Sequence, residues 1–145
     1  MTSASERSTT DHSTAEVITY HFAVLRIVPH VYVGAYVPVG VLVHARTAEF
    51  LGMRVLTDPA SIAARCRDVD AELVSRYLVS CEAICRGETG AGPVALVPPS
   101  ERFHWLTAPR SDVIQSGPVH EGLTRDPAST LDSLFASYVS LSRNH

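Results

Sequence analysis

The sequence contains no lysine, and all 12 of its basic residues are arginine. This absence excludes mechanisms that need a lysine amine, such as Schiff-base catalysis, the phosphate-binding P-loop and kinase-type nucleotide binding. The basic residues are outnumbered by 15 acidic ones, which gives a net charge of −3. Because general nucleic-acid binders usually carry a basic excess, we expect no general nucleic-acid binding.

Cysteine is also scarce, and its spacing excludes two kinds of structural site. Cys66, Cys81 and Cys85 are an odd set without a CxxC pair, so neither a disulfide framework nor a zinc ribbon is indicated. Cys81 and Cys85 lie four residues apart on a predicted helix and could ligate a metal together with a histidine. The favoured alternative is that these small apolar thiols fill the core. We therefore predict no metal site and no cofactor.

Long hydrophobic runs are absent as well. The longest, residues 31–43, contains Gly34, Pro38 and Gly40 and is shorter than the roughly 20 residues that a membrane span needs. The N-terminal segment lacks the apolar stretch of a secretory signal. We therefore expect a cytoplasmic protein that does not bind membranes. Residues 1–15 are rich in Ser and Thr, which predicts a disordered tail before a single domain over residues 16–142.

The first structured part of the chain is predicted to be a sheet. Residues 17–28, 35–45 and 49–56 are rich in β-branched and aromatic residues and are joined by short connections, which predicts an antiparallel meander. Pro38 in the second segment cannot donate a hydrogen bond to a neighbouring strand. It therefore indicates an edge position or a β-bulge.

Helix signals dominate the rest of the chain. Asp58-Pro59 and Asp126-Pro127 each combine an N-cap residue with a proline at the first helical position, so we predict that a helix begins at each. Asp68 is expected to cap a longer helix that Gly87 ends. The last helix is predicted to present one apolar face, formed by Leu131, Leu134, Phe135, Tyr138 and Leu141.

The region between these helices is predicted to be mixed. In chain order, we expect a linker at 87–93, a short strand at 94–97, a short helix over 98–106, a strand over 113–116, and a loop or short strand over 119–123. Strands that come first and helices that follow predict the α+β class. We expect a mostly antiparallel sheet of three to five strands, packed on two longer helices. These helices would cover one face and leave the other to solvent or a partner.

Arg26 stands out because it lies inside an apolar strand, AVLRIV. A charge in that setting should point outward or be paired. Together with residues of the 101–126 segment, it could bind an anion on one face of the sheet. The favoured alternative is a buried or edge ion pair with Glu49 or Asp112.

Residues 101–126, ERFHWLTAPRSDVIQSGPVHEGLTRD, concentrate polar side chains. The candidate ligand-binding residues, together with Arg26, are His104, Arg110, Ser111, Gln115, His120 and Thr124. His104 could act as an acid or base near neutral pH. Arg110 and Ser111 could hold a phosphate or carboxylate, and Gln115 and Thr124 could orient a ligand.

A structural role is the favoured interpretation of the same segment. Phe103 and Trp105 would anchor a short helix on the sheet, while the polar groups satisfy loop backbone. No reactive pair can be assigned in this segment, so no catalytic residue is predicted.

The same segments resemble a known family, DUF3037, over roughly residues 16–142. The resemblance is carried by an R-x-V-P strand end at 26–29, a V-G-V strand at 39–41 and the block APRSDVIQSGPVHEGL at 108–123. It implies a small intracellular bacterial protein without an established reaction. Members are often encoded near HipA-like kinases, which implies an accessory or partner role. Where the family commonly has an acidic residue and an Asn, in GEF-x-NVGV, this chain has Ala35 and Pro38, which would alter a site formed there.

Two functions are compatible with these observations. The favoured one is a non-enzymatic interaction or regulatory domain, which binds a protein partner or a second copy of itself through an exposed sheet face and the 101–126 segment. The alternative is an enzyme or binder of a phosphorylated or nucleotide-like anion. It would use five side chains, and their convergence on one pocket would favour it: Arg26, His104, Arg110, Ser111 and His120.

Overall fold

The computed structural model describes residues 16–28, 36–67, 69–109, 111 and 113–140. Within these ranges the chain has the predicted α+β fold, with a five-stranded antiparallel sheet and four α-helices. The predictions for the tail at residues 1–15, for Ala35 and for Leu141 lie outside the described residues.

The first three strands form the predicted meander. β1 (Ile18–Ile27), β2 (Val37–Ala45) and β3 (Phe50–Val55) pair antiparallel in chain order. β2 therefore lies inside the sheet, between β1 and β3. The high content of β-branched residues suits this buried position, and residues 39–45 of β2 are all buried.

A β-bulge accommodates Pro38 in the interior of the sheet. The register changes from Leu25 opposite Gly40 to Arg26 opposite Pro38, which leaves Val39 as an extra residue on β2. Of the two positions predicted for Pro38, the bulge is therefore the one observed. A Cβ atom at Gly40 would collide with the Val55 side chain, so the close approach of β3 requires glycine here.

The remaining two strands form the edge beside β1. β4 (Ile114–Ser116) pairs with the end of β1, and β5 (His120–Thr124) pairs with its beginning. Between them the Gly117 N–H donates a hydrogen bond of 2.8 Å to the Val24 carbonyl. Residues 117–119 oppose only two residues of β1, so they bend this edge strand. Residues 120–124 thus form a strand, which is one of the two structures predicted for residues 119–123.

The helices begin close to the predicted positions. α1 (Pro59–Arg65), α2 (Ala71–Arg86), α3 (Pro99–Thr107) and α4 (Pro127–Phe135) follow the order expected from the sequence. α4 continues into a π-helical turn, Ala136–Ser140. In this turn Val139 is completely buried, whereas Tyr138 is 41% exposed. The Tyr138 ring still packs against Phe22 at a centroid distance of 5.8 Å, so it lies at the edge of the predicted apolar face.

Two further predictions near α2 need correction. The N-cap of α2 is Asp70, whose carboxylate accepts a hydrogen bond from the Leu73 N–H. The strand predicted at 94–97 is instead part of a 3₁₀ turn, Pro93–Leu96. A four-residue segment between Pro93 and Pro98 makes its own local hydrogen bonds, such as Ala95 N–H to the Gly92 carbonyl, and buries Ala95 without joining the sheet.

Helices cover both faces of the sheet, not one as the sequence predicts. On one face, which we call the closed face, Leu25 and Ile27 of β1 share a core with residues of α1, α2 and α3. On the other, which we call the α4 face, Phe22 packs with residues of α4 and its π-helical turn. Successive side chains of β1 point to opposite faces of the sheet. The even-numbered residues near its end, including Arg26, therefore point to the α4 face.

Candidate functional site

Strand register places four of the seven candidate residues on the α4 face. Residues directly opposite each other on neighbouring strands share a face, and Arg26 is opposite Gln115. His120 is opposite Phe22, and Thr124 is opposite Ile18. Gln115, His120 and Thr124 therefore lie beside β1 on the same face as Arg26.

The guanidinium of Arg26 is held between an aromatic ring and a glycine. Its central carbon lies 3.7 Å from the centroid of the Tyr36 ring, within the range of a cation–π contact. A Cβ atom added to Gly117 would lie only 3.3 Å from Nη1 of Arg26 and 3.4 Å from its guanidinium carbon. The missing side chain of Gly117 thus leaves the space that the guanidinium occupies.

This cation has no counter-charge among the described residues. The ion pairs found there join His21 with Glu121, Arg54 with Asp132, and Arg86 with Glu82 and Glu88. The Nε atom of Arg26 is buried and makes no hydrogen bond. Its cross-strand neighbours, Pro38 and Gln115, are both uncharged.

The ion pair predicted as an alternative for Arg26 is not formed with Glu49. Glu49 lies in the turn after β2, whereas Arg26 is opposite Pro38 at the start of that strand. The length of β2 therefore separates the two side chains. The other predicted partner, Asp112, lies outside the described residues.

A group of aromatic rings lies further along β1 on the same face. The Phe22 ring centroid is 5.2 Å from that of His120, 5.8 Å from that of Tyr138 and 6.0 Å from that of Tyr20. Phe22 is buried, while His120 and Tyr138 are exposed. At about 3.3 Å per strand residue, this group is about 13 Å from Arg26.

We refer to this surface as the β1 strip. It comprises a cation at one end, an aromatic group at the other and a neutral amide beside the cation. Its members are Arg26, Tyr36, Gln115, Tyr20, Phe22, His120 and Tyr138.

His104 does not contribute to the β1 strip. It is exposed on α3, and the neighbouring Phe103 and Leu106 of that helix pack into the closed-face core with Leu25. The sheet therefore separates His104 from Arg26. Trp105 also packs against the closed-face core, as the structural interpretation of this segment predicted.

Two other candidate residues are engaged in local hydrogen bonds. The Ser111 hydroxyl accepts from the backbone N–H groups of Val113 at 3.0 Å and Ile114 at 3.1 Å. The Thr124 hydroxyl accepts from the Asp126 N–H at 2.9 Å and lies 2.6 Å from the Thr130 hydroxyl. These bonds shape the start of β4 and the entry to α4. Arg110 lies outside the described residues.

With this geometry known, comparison with protein families becomes informative. A family model described as "Protein of unknown function (DUF3037)" matches residues 22–139. This chain belongs to the DUF3037 family. No curated protein and no solved structure matches the chain. The matched span includes all of the β1 strip of this DUF3037 domain except Tyr20.

Sequence reasoning missed four contributors to the β1 strip. Tyr20 and Phe22 could have been found, because the two-residue period of a strand puts residues 20, 22, 24 and 26 on one face. Tyr36 and Tyr138 gave no such signal. Tyr36 directly precedes β2 and contacts Arg26 on the neighbouring strand β1, so their contact depends on strand pairing. The exposure of Tyr138 depends on the π-helical turn.

The cysteines of this DUF3037 domain occupy the closed-face core. Cys81 and Cys85 are 5% and 3% exposed, and burial raises the pKa of their thiols to about 11 and about 12. A buried thiol that stays protonated packs as a small apolar group, so the core interpretation fits. In the described part of the chain, no group of three or more His, Cys, Asp or Glu side chains is placed to hold a metal ion.

A second histidine marks the closed face. His44 is buried, and its ring stacks on Phe103 of α3 with a centroid distance of 5.3 Å. Burial lowers the pKa of His44, and His21 and Arg46 lower it further. His44 therefore favours its neutral form beneath α3.

None of the described helices is both long and apolar enough to cross a membrane.

Proposed function

We propose that this DUF3037 domain is a non-enzymatic interaction module. Its binding surface is the β1 strip, and its partner is a protein segment that carries an acidic group. The observation that carries this proposal is the guanidinium of Arg26, stacked on Tyr36 without a counter-charge among the described residues.

The energetics of Arg26 support a role in binding. A buried donor without an acceptor costs about 1–3 kcal/mol, and the Nε of Arg26 is such a donor. Arg102 has a similar unpartnered Nε, but its guanidinium donates to the Val97 carbonyl at 2.6 Å. The guanidinium of Arg26 instead stacks on Tyr36 and has no counter-charge among the described residues. Because Tyr36 and Gly117 already hold the guanidinium, a partner would lose less side-chain entropy on binding it.

The aromatic group supplies the second half of the surface. Aromatic residues and arginine are enriched at protein interfaces and at the positions that contribute most to affinity. The exposed rings of His120 and Tyr138 surround the buried ring of Phe22. An apolar side chain of the partner would pack against these rings, while its acidic group reaches Arg26.

The alternative function is supported less well by the placement of its residues. It requires His104 and Ser111 to join Arg26 and His120, yet His104 lies on the helix that covers the opposite face. Ser111 already accepts two backbone hydrogen bonds. The described members of the predicted anion pocket therefore do not converge, which favours an interaction module.

The partner that we propose on family grounds is a HipA-like kinase, because members of the family are often encoded near such kinases. The test is co-expression of the two proteins and co-elution in size-exclusion chromatography with mass measured by light scattering. We expect Arg26→Ala to abolish co-elution. Arg76→Ala is the matched control, because Arg76 is exposed on α2 and should leave co-elution unchanged.

The same experiment tests self-association, because it also measures the mass of the domain alone. A dimer that Arg26→Ala dissociates would support the β1 strip with a second copy as the partner. Equal behaviour of the Arg26→Ala and Arg76→Ala variants, with both correctly folded by circular dichroism, would overturn the proposal.

A further inference from the structure

We infer that the anion bound by Arg26 is a carboxylate, presented by an extended segment with an apolar side chain four residues away. This inference rests on the proposed function, since it names the chemistry that the β1 strip recognises. Three features carry it: the number of charges, the accessible edge of the guanidinium, and the distance to the aromatic group.

Among the described residues, the charge around Arg26 matches a ligand with a single negative charge. Arg26 is flanked across the strands by Pro38 and Gln115, and the next pair on the same face is Val24 with Val41. None of these residues is charged. A phosphate monoester carries about −1.5 to −2 at neutral pH and is usually met by a cluster of arginines. One guanidinium balances one carboxylate.

The orientation of Arg26 leaves a fork suited to a carboxylate. Tyr36 lies against one side of the guanidinium and Gly117 beside it, while Nε is buried. The two terminal Nη groups therefore remain to meet a ligand, and their parallel N–H bonds fit the two oxygens of a planar carboxylate. Gln115, directly opposite on β4, adds a neutral amide donor.

The length of the β1 strip sets the spacing in the ligand. Phe22, the centre of the aromatic group, precedes Arg26 by four residues on one strand. An extended ligand rises by nearly the same distance per residue as β1. A carboxylate on Arg26 therefore places the side chain four positions away over the rings of Phe22, His120 and Tyr138.

The test is an NMR titration of ¹⁵N-labelled protein that follows the side-chain Nε–H resonance of Arg26, identified by its absence in Arg26→Lys. The probe is a capped five-residue peptide with glutamate at one end, leucine at the other, and glycine and serine between. We expect this peptide to shift the Arg26 resonance and the amides of β1 and β5. Replacing its glutamate by glutamine should weaken binding about tenfold, because the hydrogen bonds lose their ionic character.

Two further peptides and two protein variants complete the test. A phosphoserine in place of the glutamate, or leucine placed directly after the glutamate, should each bind more weakly. Arg26→Lys keeps the charge but not the fork and should also bind more weakly, whereas Arg76→Lys should bind like the wild type. Tighter binding of the phosphoserine peptide, or equal binding of the glutamine peptide, would overturn the carboxylate inference.

Failure of this inference can be distinguished from failure of the proposed function. If no peptide binds while Arg26→Ala still abolishes co-elution with the partner, the carboxylate ligand is wrong and the interaction module stands. If the glutamate peptide binds but Arg26→Ala leaves co-elution unchanged, the β1 strip recognises carboxylates and the proposed kinase interface is wrong.

Discussion

Arg102 on the closed face and Arg26 on the α4 face show how the same side chain can serve different ends. Each has a buried Nε without a hydrogen-bond partner. The Nη1 of Arg102, however, donates to the Val97 carbonyl at 2.6 Å, and its guanidinium lies beside Gly87 at the C-terminus of α2, where a cation is favourable. The guanidinium of Arg26 meets a ring and a glycine instead. We therefore expect Arg102 to stabilise the fold, whereas we propose that Arg26 binds a partner.

The two faces differ in the same sense as these two arginines. On the closed face three helices complete the core, and polar side chains there donate to backbone carbonyls: the Ser75 hydroxyl donates to the Thr57 carbonyl at 2.5 Å. On the α4 face a single helix with its π-helical turn packs mainly over β2 and β3. The end of β1 that carries Arg26 is not part of the core that α4 covers. A charged side chain can therefore be accommodated there.

The largest effect is expected from a core substitution on the closed face. Leu78 is fully buried on α2, so Leu78→Ala should lower the free energy of unfolding by about 2–5 kcal/mol. Urea denaturation followed by circular dichroism measures this change. Leu73→Ala on the same helix is the control, because Leu73 is 54% exposed. Similar losses in both variants would contradict the assignment of the closed face as the main core.

The two arginines provide a direct test of the comparison. Arg102→Met should lower the free energy of unfolding by about 1 kcal/mol more than Arg26→Met does, because both variants remove an unpartnered Nε but only Arg102→Met removes a hydrogen bond from a charged donor. Arg26→Met should change it by less than about 1 kcal/mol, since the loss of the cation–π contact is offset by removal of the unpartnered Nε. The measurement is urea denaturation of both variants. A larger loss for Arg26→Met than for Arg102→Met would show that Arg26 is structural.

A smaller effect is expected from acid on the closed face. Folding lowers the pKa of His44, so the folded state binds fewer protons than the unfolded state. This contribution to stability is intact above the ordinary pKa of about 6.5 and is lost as the pH falls through the folded-state pKa. His44→Phe preserves an aromatic ring beside Phe103 and should reduce the loss of stability between pH 7 and pH 5.

Unfolding free energies measured at both pH values decide this prediction. His104→Gln, on the exposed side of α3, retains His44 and should keep the acid-dependent loss of the wild type. An unchanged loss in His44→Phe would assign the acid sensitivity to other groups.

The repeated tetrapeptide DPAS shows how far local sequence can predict structure. Both copies start a helix as predicted, with aspartate at the N-cap and proline in the first turn. The Asp126 carboxylate accepts from the Ser129 N–H at 3.3 Å, whereas the Asp58 carboxylate accepts from the Ser61 hydroxyl at 3.1 Å. The start is a local property, because φ and the N-cap preference belong to the residues themselves. The hydrogen bond that each aspartate accepts depends on the path of the chain before the helix.

Sequence by itself determined the α+β class, the meander, an irregular or edge position for Pro38, the end of α2 at Gly87 and the unusual charge of Arg26. These features depend on periodicity and on the backbone limits of single residues, which act over short distances. Only the tertiary structure decided that helices cover both faces, that Arg26 stacks on Tyr36 beside Gly117, and that His104 lies on the opposite face. Such facts depend on register and packing between distant segments, which no local pattern encodes.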